Sequence, residues 1–408
     1  MHNKNIIKLL NIQAKNVILE KFYFNSEDNT WYIHISKKIV KHKCPHCHKE
    51  TKRIHDHRFQ KLKHTPINGN KCIIVLKKTR LYCKDCKKSF YMNYSDIVNR
   101  RFRSSNALFN KIINDLQYIS TTFKDIAKIN NVSIGVVIRY LNIFAYLMNW
   151  NNINILPAHI GIDEFKGNCD KSKYQFHVID LDTRETVQIL KSRKFNDVVN
   201  FFNSIDNRNS VKVVTSDLYN SFKNSVNAKL KNSIIIADRF HYTRIVSNAL
   251  DSLRIKLWQN SKGDEKKFFK NVKSALLKNT ENIKDTEYLL DLEAKINTAF
   301  EYSVELKYGY QLYQNFLRIK DGDTYQEKVS RFKDWIDDAL SCTIPEFKSA
   351  AETLLKWNKE ILNSFKYSYT NSSTEGKNNK IKVIKRNAYG FKKLNNLKYL
   401  IKLRDCKV

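Results

Sequence analysis

Two sets of side chains in this 408-residue chain have the types and spacing to do chemistry. The first is a set of thiols, Cys44-Pro-His-Cys47 and Cys83-Lys-Asp-Cys86. Two residues between thiolates let one tight turn present both sulfurs to one tetrahedral Zn²⁺, and two such pairs close a four-thiolate structural site. The second is a set of carboxylates. Asp163 ends the apolar run His159-Ile-Gly-Ile-Asp, Asp217 ends Val211-Lys-Val-Val-Thr-Ser-Asp, and Asp238 ends Ser233-Ile-Ile-Ile-Ala-Asp. Glu375 follows far downstream, in the first turn of a segment that Ser372, Ser373 or Thr374 can cap as a helix. Converging carboxylates repel one another, and hard divalent cations such as Mg²⁺ relieve that repulsion while binding phosphates. Two such ions ~3.5–4 Å apart can activate an attacking oxygen and stabilise a leaving 3′ oxygen. A lone Asp at a strand end is usually a turn residue; three in succession make a pattern.

These groups need elements to position them. The strand-like run Cys72–Tyr82 leads straight into the second knuckle, as in a zinc ribbon. Six histidines between His42 and His64 are expected at the surface or on phosphates, and Cys72, Cys169, Cys342 and Cys406 as small core residues. Residues 104–148 read as helices. Within them Thr122–Leu141 has a helix-turn-helix layout: Ile126, Ala127 and Ile129 on one short apolar face, a turn at Asn130-Asn131, and Ser133 as N-cap. Ile134, Val137, Ile138 and Leu141 then face inward at helical spacing. Ser133, Gly135, Val136, Arg139 and Tyr140 would face a DNA major groove. Around the acids the order is β-β-β-α-β-α-β, from strands at 159–165, 174–182, 185–191, 211–218 and 233–242 and a helix over 195–205. Open α/β sheets place ligands at the carboxyl ends of such strands. Residues 243–365 carry helical spacing throughout, for example over 273–289 and 332–340, with Trp258, Trp335 and Trp357 as core anchors. Asn379, Lys382 and Arg386 follow Glu375 at about one-turn spacing and make a polar, basic stripe.

Composition narrows the partners. Lys+Arg number 73 against 40 Asp+Glu, a net charge of +33. Residues 1–150 hold 28 basic and 9 acidic side chains, and residues 375–408 hold 11 and 2, so the excess sits at the two ends. Such a chain attracts polyanions. Scarce Gly (9) and Pro (4) exclude collagen and Pro-rich linkers, and 42% apolar residues exclude wholesale disorder. No apolar run approaches the ~20 residues of a membrane span. The first residues lack the apolar core of a signal peptide, so a cytoplasmic, nucleoid-associated protein is expected.

Three motif groups then resemble a known family. They are the Cys-Pro-x-Cys knuckle with His55-Asp56 and Leu-Tyr-Cys-x-x-Cys-x-x-x-Phe at 81–90, Gly161-Ile-Asp-Glu-Phe165 with Asp238-Arg-Phe-His241, and Asn371-x-x-x-Glu375 with Asn379, Lys382 and Lys385-Arg386-x-Ala-Tyr-Gly390. Together they resemble bacterial insertion-sequence transposases of the Asp-Asp-Glu type, in the ISL-three group. The resemblance implies a multidomain α+β chain. Its parts would be a zinc-ribbon region (1–95), a helix-turn-helix (96–150), an RNase H-like catalytic domain (151–242 and 366–408), and an all-helical insertion (243–365) interrupting that domain. It implies that Asp163, Asp217 and Glu375 hold two Mg²⁺ or Mn²⁺ ions, with Asp238, His241, Asn371 and Asn379 as auxiliary groups. Cys44, Cys47, Cys83 and Cys86 would hold Zn²⁺. Ser133, Arg139, Tyr140, Lys382, Lys385 and Arg386 would touch DNA. The expected activity is cleavage of double-stranded DNA at terminal inverted repeats and strand transfer into target DNA, by a homodimer or larger assembly. Two alternatives stay open: a non-enzymatic zinc and helix-turn-helix regulator, and an RNase H-like nuclease without strand transfer. The first ~35 residues match no motif.

Overall fold

The computed structural model describes residues 3–12, 15–278 and 285–405. The chain divides into two compact units: residues 1–152 with 381–408, and residues 153–380. Cys406 lies outside the described residues, as does part of the helical run expected over 273–289. Among the described residues no helix is long and apolar enough to cross a membrane.

The first unit opens on α1 (Asn3–Leu9), then the hairpin β1 (Val17–Asn25) and β2 (Thr30–Lys37). The short strands β3 (His42–Lys43) and β4 (Glu50–Thr51) flank the first knuckle; β5 (Ile54–Lys63), β6 (Lys71–Tyr82) and β7 (Ser89–Tyr91) follow. The sheet runs β1-β2-β6-β5, with β7 on β6, and β2 lies parallel to β6. The expected strand over 72–82 is therefore present, within a sheet larger than a minimal ribbon. Alternation sends Ile33, Ile35, Leu62, Ile74 and Leu76 into one core. His64 departs from its expected surface role. It is buried between the Ser105 hydroxyl and the Leu10 carbonyl, both at 2.7 Å, and burial lowers its pKa to about 4.

Three helices follow: α2 (Asn106–Leu116), α3 (Phe123–Ile129) and α4 (Ile134–Leu147). Thr122 and Asp125 close a reciprocal capping box on α3. Ile126, Ala127, Val137 and Leu141 are buried as expected, whereas Ile129 and Ile134 are exposed.

The second unit holds β8 (His159–Cys169), β9 (Ser172–Asp180), β10 (Thr186–Leu190), α5 (Phe195–Asn203), β11 (Val213–Ser216), α6 (Asn220–Lys229) and β12 (Ile234–Ala237). Its sheet runs β10-β9-β8-β11-β12. β9 is antiparallel to β8 and β10, while β8, β11 and β12 are mutually parallel. The element order expected from the sequence is present. Ile160, Ile162, Phe176 and Val214 bury one sheet face under Val198 and Phe202 of α5 and Phe222 and Val226 of α6. Helices then dominate: α7 (Arg239–Asn260), α8 (Gly263–Asn271), α9 (Lys273–Leu276), α10 (Thr286–Tyr302), α11 (Val304–Arg318), α12 (Tyr325–Ser341), α13 (Pro345–Lys356) and α14 (Asn358–Lys366). They enclose their own core around Trp335 and Trp357, with Trp258 partly buried against it. The long helix α15 (Ser372–Asn387) crosses the unit boundary, and α16 (Leu394–Asp405) ends the described chain. The tail expected to stay with the catalytic part falls instead with the N-terminal unit after Lys380. There Arg404 donates to the carbonyls of Leu116, Tyr118 and Thr121, satisfying the end of α2 and the turn after it.

Candidate active site

Sheet register brings the acids together. In parallel pairing Ser216 lies opposite both Ile162 and Ala237. One residue further along, Asp163 stands level with Asp217 and Asp238; the latter two directly follow β11 and β12, whereas β8 runs on past Asp163 to Cys169. His177 of β9 completes the row, directly opposite Asp163 in the antiparallel register. Neighbouring strands lie ~4.8 Å apart, which is close enough for these side chains to touch.

Helix α15 closes over this row on the face opposite α5 and α6. Gly161 makes the approach possible: a Cβ there would collide with the Thr374 hydroxyl oxygen. From that helix two buried amides reach the aspartates. Asn378 Nδ2 donates to Asp163 Oδ2 at 2.5 Å, and Asn371 Nδ2 donates to Asp217 Oδ1 at 3.2 Å. Each amide oxygen is held in turn. Thr215 Oγ1 donates to Asn371 Oδ1 at 3.1 Å. His177 Nδ1 lies 3.1 Å from Asn378 Oδ1, and its Nε2 lies 3.1 Å from Thr186 Oγ1. Since Asn378 Oδ1 can only accept, His177 carries its proton on Nδ1 and accepts from Thr186 at Nε2. Two relays thus converge on the acids, Thr186–His177–Asn378–Asp163 and Thr215–Asn371–Asp217. Asn371, Thr374 and Asn378 share one helix face through their i, i+3 and i+7 spacing.

The electrostatics follow from this crowding. The Asp163 and Asp217 carboxyls lie close enough to act on each other electrostatically. Burial, and after it the Asp217 charge, pushes Asp163 up to about 8. Burial also pushes Asp217 up to about 7, with the Asp238 and Glu164 charges acting in the same direction. Burial and crowding thus disfavour a doubly charged Asp163–Asp217 pair. His241 Nδ1 lies 2.7 Å from Asp238 Oδ2 and 3.1 Å from Asp217 Oδ1, so one imidazole joins two of the acids. Asp217, Asp238 and His241 offer ligand atoms all within 4.8 Å of one another. Glu164, next to Asp163, has a different fate: it pairs with Arg193, whose guanidinium lies over Tyr174 and Tyr219 at 4.4 and 4.8 Å.

Not every expected residue joins this cluster. Of the expected triad only Asp217 belongs to the close ligand group: Asp163 and Glu375 are both outside it, and Glu375 is exposed on α15. At ~100° per residue its side chain leaves the helix about 40° from Asn371 and 60° from Asn378, beside the face that grips the aspartates. Asn379, Lys382 and Arg386 are exposed and Lys385 is half-buried. Ser133 and Arg139 are exposed on α4. Tyr140 is a correction: it is 2% exposed, packed at 5.8 and 5.1 Å between the rings of Phe102 and Phe109. A single residue step of about 100° separates exposed Arg139 from buried Tyr140, which lies on the same side as Val137 and Leu141.

Asn378, His177, Thr186 and Thr215 were missing from the expected site. The i, i+7 spacing of Asn371 and Asn378 was a visible signal. The histidine and the threonines required the sheet register.

The thiols gather as their spacing predicts. Cys44, Cys47, Cys83 and Cys86 lie within mutual ligand distance, with Cys44–Cys86 and Cys47–Cys83 sulfurs 3.6 and 3.5 Å apart. Zn–S bonds of about 2.3 Å place tetrahedral sulfurs about 3.8 Å apart, so the cage fits Zn²⁺. The two knuckles fold alike. The first cysteine's amide donates to the carbonyl five residues on, Cys44 to Lys49 and Cys83 to Lys88, both at 2.9 Å. The residue before that carbonyl, His48 or Lys87, takes positive φ of 60° or 54°.

Comparison with known proteins shows the family of the chain and a zinc-finger over its thiols. A family model of DDE type and ISL3 group, described as a transposase, matches residues 160–401. A second model, for the zinc-finger of transposase IS204/IS1001/IS1096/IS1165, matches residues 41–86. The chain is 19% identical over 367 residues to the transposase for insertion sequence element IS1001 of Bordetella parapertussis, covering 86% of this chain and 85% of that protein. It is also 37% identical over 106 residues to a Lactococcus lactis protein named ATP-dependent protease, covering 25% of this chain and 31% of that protein. The chain carries no Gly-x4-Gly-Lys-Ser/Thr phosphate loop that would go with that second name.

Proposed function

Since the chain belongs to the ISL3 insertion-sequence transposases, we propose that it cuts DNA at the element's terminal inverted repeats and joins the freed 3′ ends to target DNA by metal-dependent phosphoryl transfer. The observation that carries this reading is the sheet register that sets Asp163 level with Asp217 and Asp238 on three adjacent strands. Carboxyls crowded and buried in this way favour a divalent cation between them. The donor set, carboxylate oxygens with one imidazole nearby, fits Mg²⁺ or Mn²⁺. Bound ions would supply Lewis acidity to the attacking and leaving oxygens.

The protein's own groups do the rest. Asp163, Asp217 and Glu375 form the ligand set, with Glu375 turning in from the edge of the gripping face of α15. Asn371 and Asn378 aim the two aspartates. His241 holds Asp217 against Asp238. The strand order, with the second strand antiparallel, supports an RNase H-like catalytic unit interrupted by helices α7–α14. Lys382, Lys385, Arg386 and Asn379, on later turns of α15, contact phosphates. Helices α3 and α4 act as a helix-turn-helix that presents Ser133 and Arg139 to the repeats, next to the zinc ribbon. Two ends must meet, so the active form is a dimer or larger assembly.

The test is a nicking and strand-transfer assay on a duplex carrying the repeats that flank the reading frame. We expect Mg²⁺-dependent nicking and joined product, with both reduced at least ~10³-fold in Asp163→Ala, Asp217→Ala and Glu375→Ala. Cleavage without joining would favour a nuclease, and repeat binding without cleavage a regulator. Full activity in Glu375→Ala would remove that residue from the ligand set.

A further inference from the structure

The hairpin β1–β2 and the strands β6 and β5 turn one sheet face to the core; on the other face the outer strands β1 and β5 expose their side chains, while Val75 of β6 is buried and Tyr32, His34 and Ile73 are half-buried. On that second face the register aligns Tyr23, Tyr32, Ile73 and Lys63 in one row across four strands. The next row is Lys21, His34, Val75 and Lys61, and the third pairs Lys77 with Phe59. Tyr23 is 45% exposed and Phe59 66%. The Tyr23 ring stacks on Tyr32 at 5.6 Å and lies 5.8 Å from His34, nearly parallel to both. No strand residue in these three rows is a carboxylate, which is unlike an ordinary solvated sheet surface. Asp28 of the β1–β2 turn meets the face at its edge, accepting from the Tyr32 hydroxyl at 2.7 Å. Glu20 sits at the β1 bulge, and Asp56 pairs with Arg80 on the core-side parity.

We propose that this face binds a single DNA strand, its bases stacking on Tyr23, Tyr32 and Phe59 and its phosphates lying along Lys21, Lys61, Lys63 and Lys77. Charge complementarity selects a polyanion. The exposed ring faces select unpaired bases, because a base inside a duplex has no free π-face to offer. Four strands at ~4.8 Å spacing make a platform about 14 Å wide, broad and flat rather than shaped to enter a groove. The inference rests on the reading of the chain as a DNA enzyme only for the choice of DNA. It concerns a surface in the unit that lacks the acidic cluster, and it gives residues 17–35 a task.

The test uses the full zinc-loaded chain and fluorescein-labelled oligo-dT, against a duplex of equal length, by anisotropy at several salt concentrations. We expect Tyr23→Ala with Phe59→Ala to weaken single-strand binding about tenfold or more without changing the salt slope. Lys61→Ala with Lys63→Ala should lower the slope of log affinity against log salt by ~1.4. Light-induced crosslinks from 5-iodouracil should map to residues 21–34 and 57–63. Unchanged single-strand affinity in both variants, with zinc content and circular dichroism intact, would overturn the proposal. So would equal losses on duplex and single strand, or crosslinks confined to α3 and α4. Single-strand binding is read in Mg²⁺-free buffer, where no cleavage is expected. Loss of binding in the face variants therefore stands even if no cleavage is ever found, and metal-dependent cleavage stands even if the face variants bind normally.

Discussion

The thiol cage and the carboxylate row are two ways of building a cation site in one chain. In the cage, two residues separate the ligands of each pair, and a turn with one left-handed residue aims both sulfurs. In the row, Asp163, Asp217 and Asp238 are separated by whole strands and helices, and only the parallel register brings them level. The cage is local and depends on its ion for shape. The row is assembled by a packed sheet, whose register and buried amides hold the carboxyls in place. A site made by turns should therefore collapse when its ion is lost, and a site made by a sheet should only change its protonation.

The sharpest way to break this contrast is to remove each ion. Stripping zinc with a strong chelator, or changing Cys83→Ser, should unfold the knuckles and the ends of β5 and β6 that they tie together. Zinc–thiolate sites of this kind contribute on the order of 10 kcal/mol to folding. We expect one zinc per chain by elemental analysis, and rapid proteolysis within residues 41–91 once it is gone. Removing Mg²⁺ alone should leave the proteolytic pattern of residues 153–260 unchanged. Protection of 41–91 in the zinc-free chain would end the contrast.

The same difference governs what was legible in the sequence. Cys-x-x-Cys can be read by eye because the chemistry and the turn occupy the same few residues. Asp163, Asp217 and Asp238 were legible as strand-end acids because each ends an apolar run. Their common row, and the place of His177 opposite Asp163, came only with the register. Tyr140 was misplaced because its helix carries apolar residues on more than one side, so spacing alone did not fix the buried arc. The hairpin β1–β2 went unread although aromatic alternation on both sides of Ser26-Glu-Asp-Asn29 is a hairpin signal. Its strands pair with β6 from far along the chain, and no nearby motif drew attention to them. His64 looked like one more surface histidine, and its burial depends on Ser105 and Leu10, both remote in sequence.

A smaller perturbation sharpens the role of the helix that closes the row. In Asn378→Ala, Asp163 loses a buried donor and His177 loses its acceptor. We expect nicking to fall about 10–100-fold, the range for groups that orient metal ligands. The half-saturating Mg²⁺ concentration should rise as well, because Asp163 is no longer aimed. Thermal stability should drop by about 1–3 kcal/mol from the unsatisfied partners. A merely structural role would lower stability and leave the Mg²⁺ requirement where it was. His177→Ala should reproduce the Mg²⁺ shift in weaker form, since it acts through Asn378. Catalysis with an unchanged metal titration in both variants would reduce Asn378 to a packing residue.

The smallest effect is in the pH dependence of the protein without Mg²⁺. Asp163 and Asp217 are pushed up to about 8 and about 7 in the folded chain, above the ~4 of the unfolded one. The folded state therefore holds protons that the unfolded chain has already released. These groups leave stability undiminished below about pH 4 and erode it as pH rises toward 8, by at most ~1.4 kcal/mol per pH unit for each proton held. The zinc cage runs the other way, since its thiolates release zinc as they are protonated at low pH. Comparison with Asp163→Asn separates the two, because that variant keeps the cage and removes one of the shared carboxylates. Measured between pH 6 and pH 8 in zinc-loaded, Mg²⁺-free buffer, the parent should lose stability relative to Asp163→Asn. Added Mg²⁺ should restore the parent more at pH 8 than at pH 6, because a divalent ion takes over the task of the proton. Parallel stability curves for the two proteins, with or without Mg²⁺, would mean that the aspartates ionise independently and that the sheet holds them too far apart to share an ion.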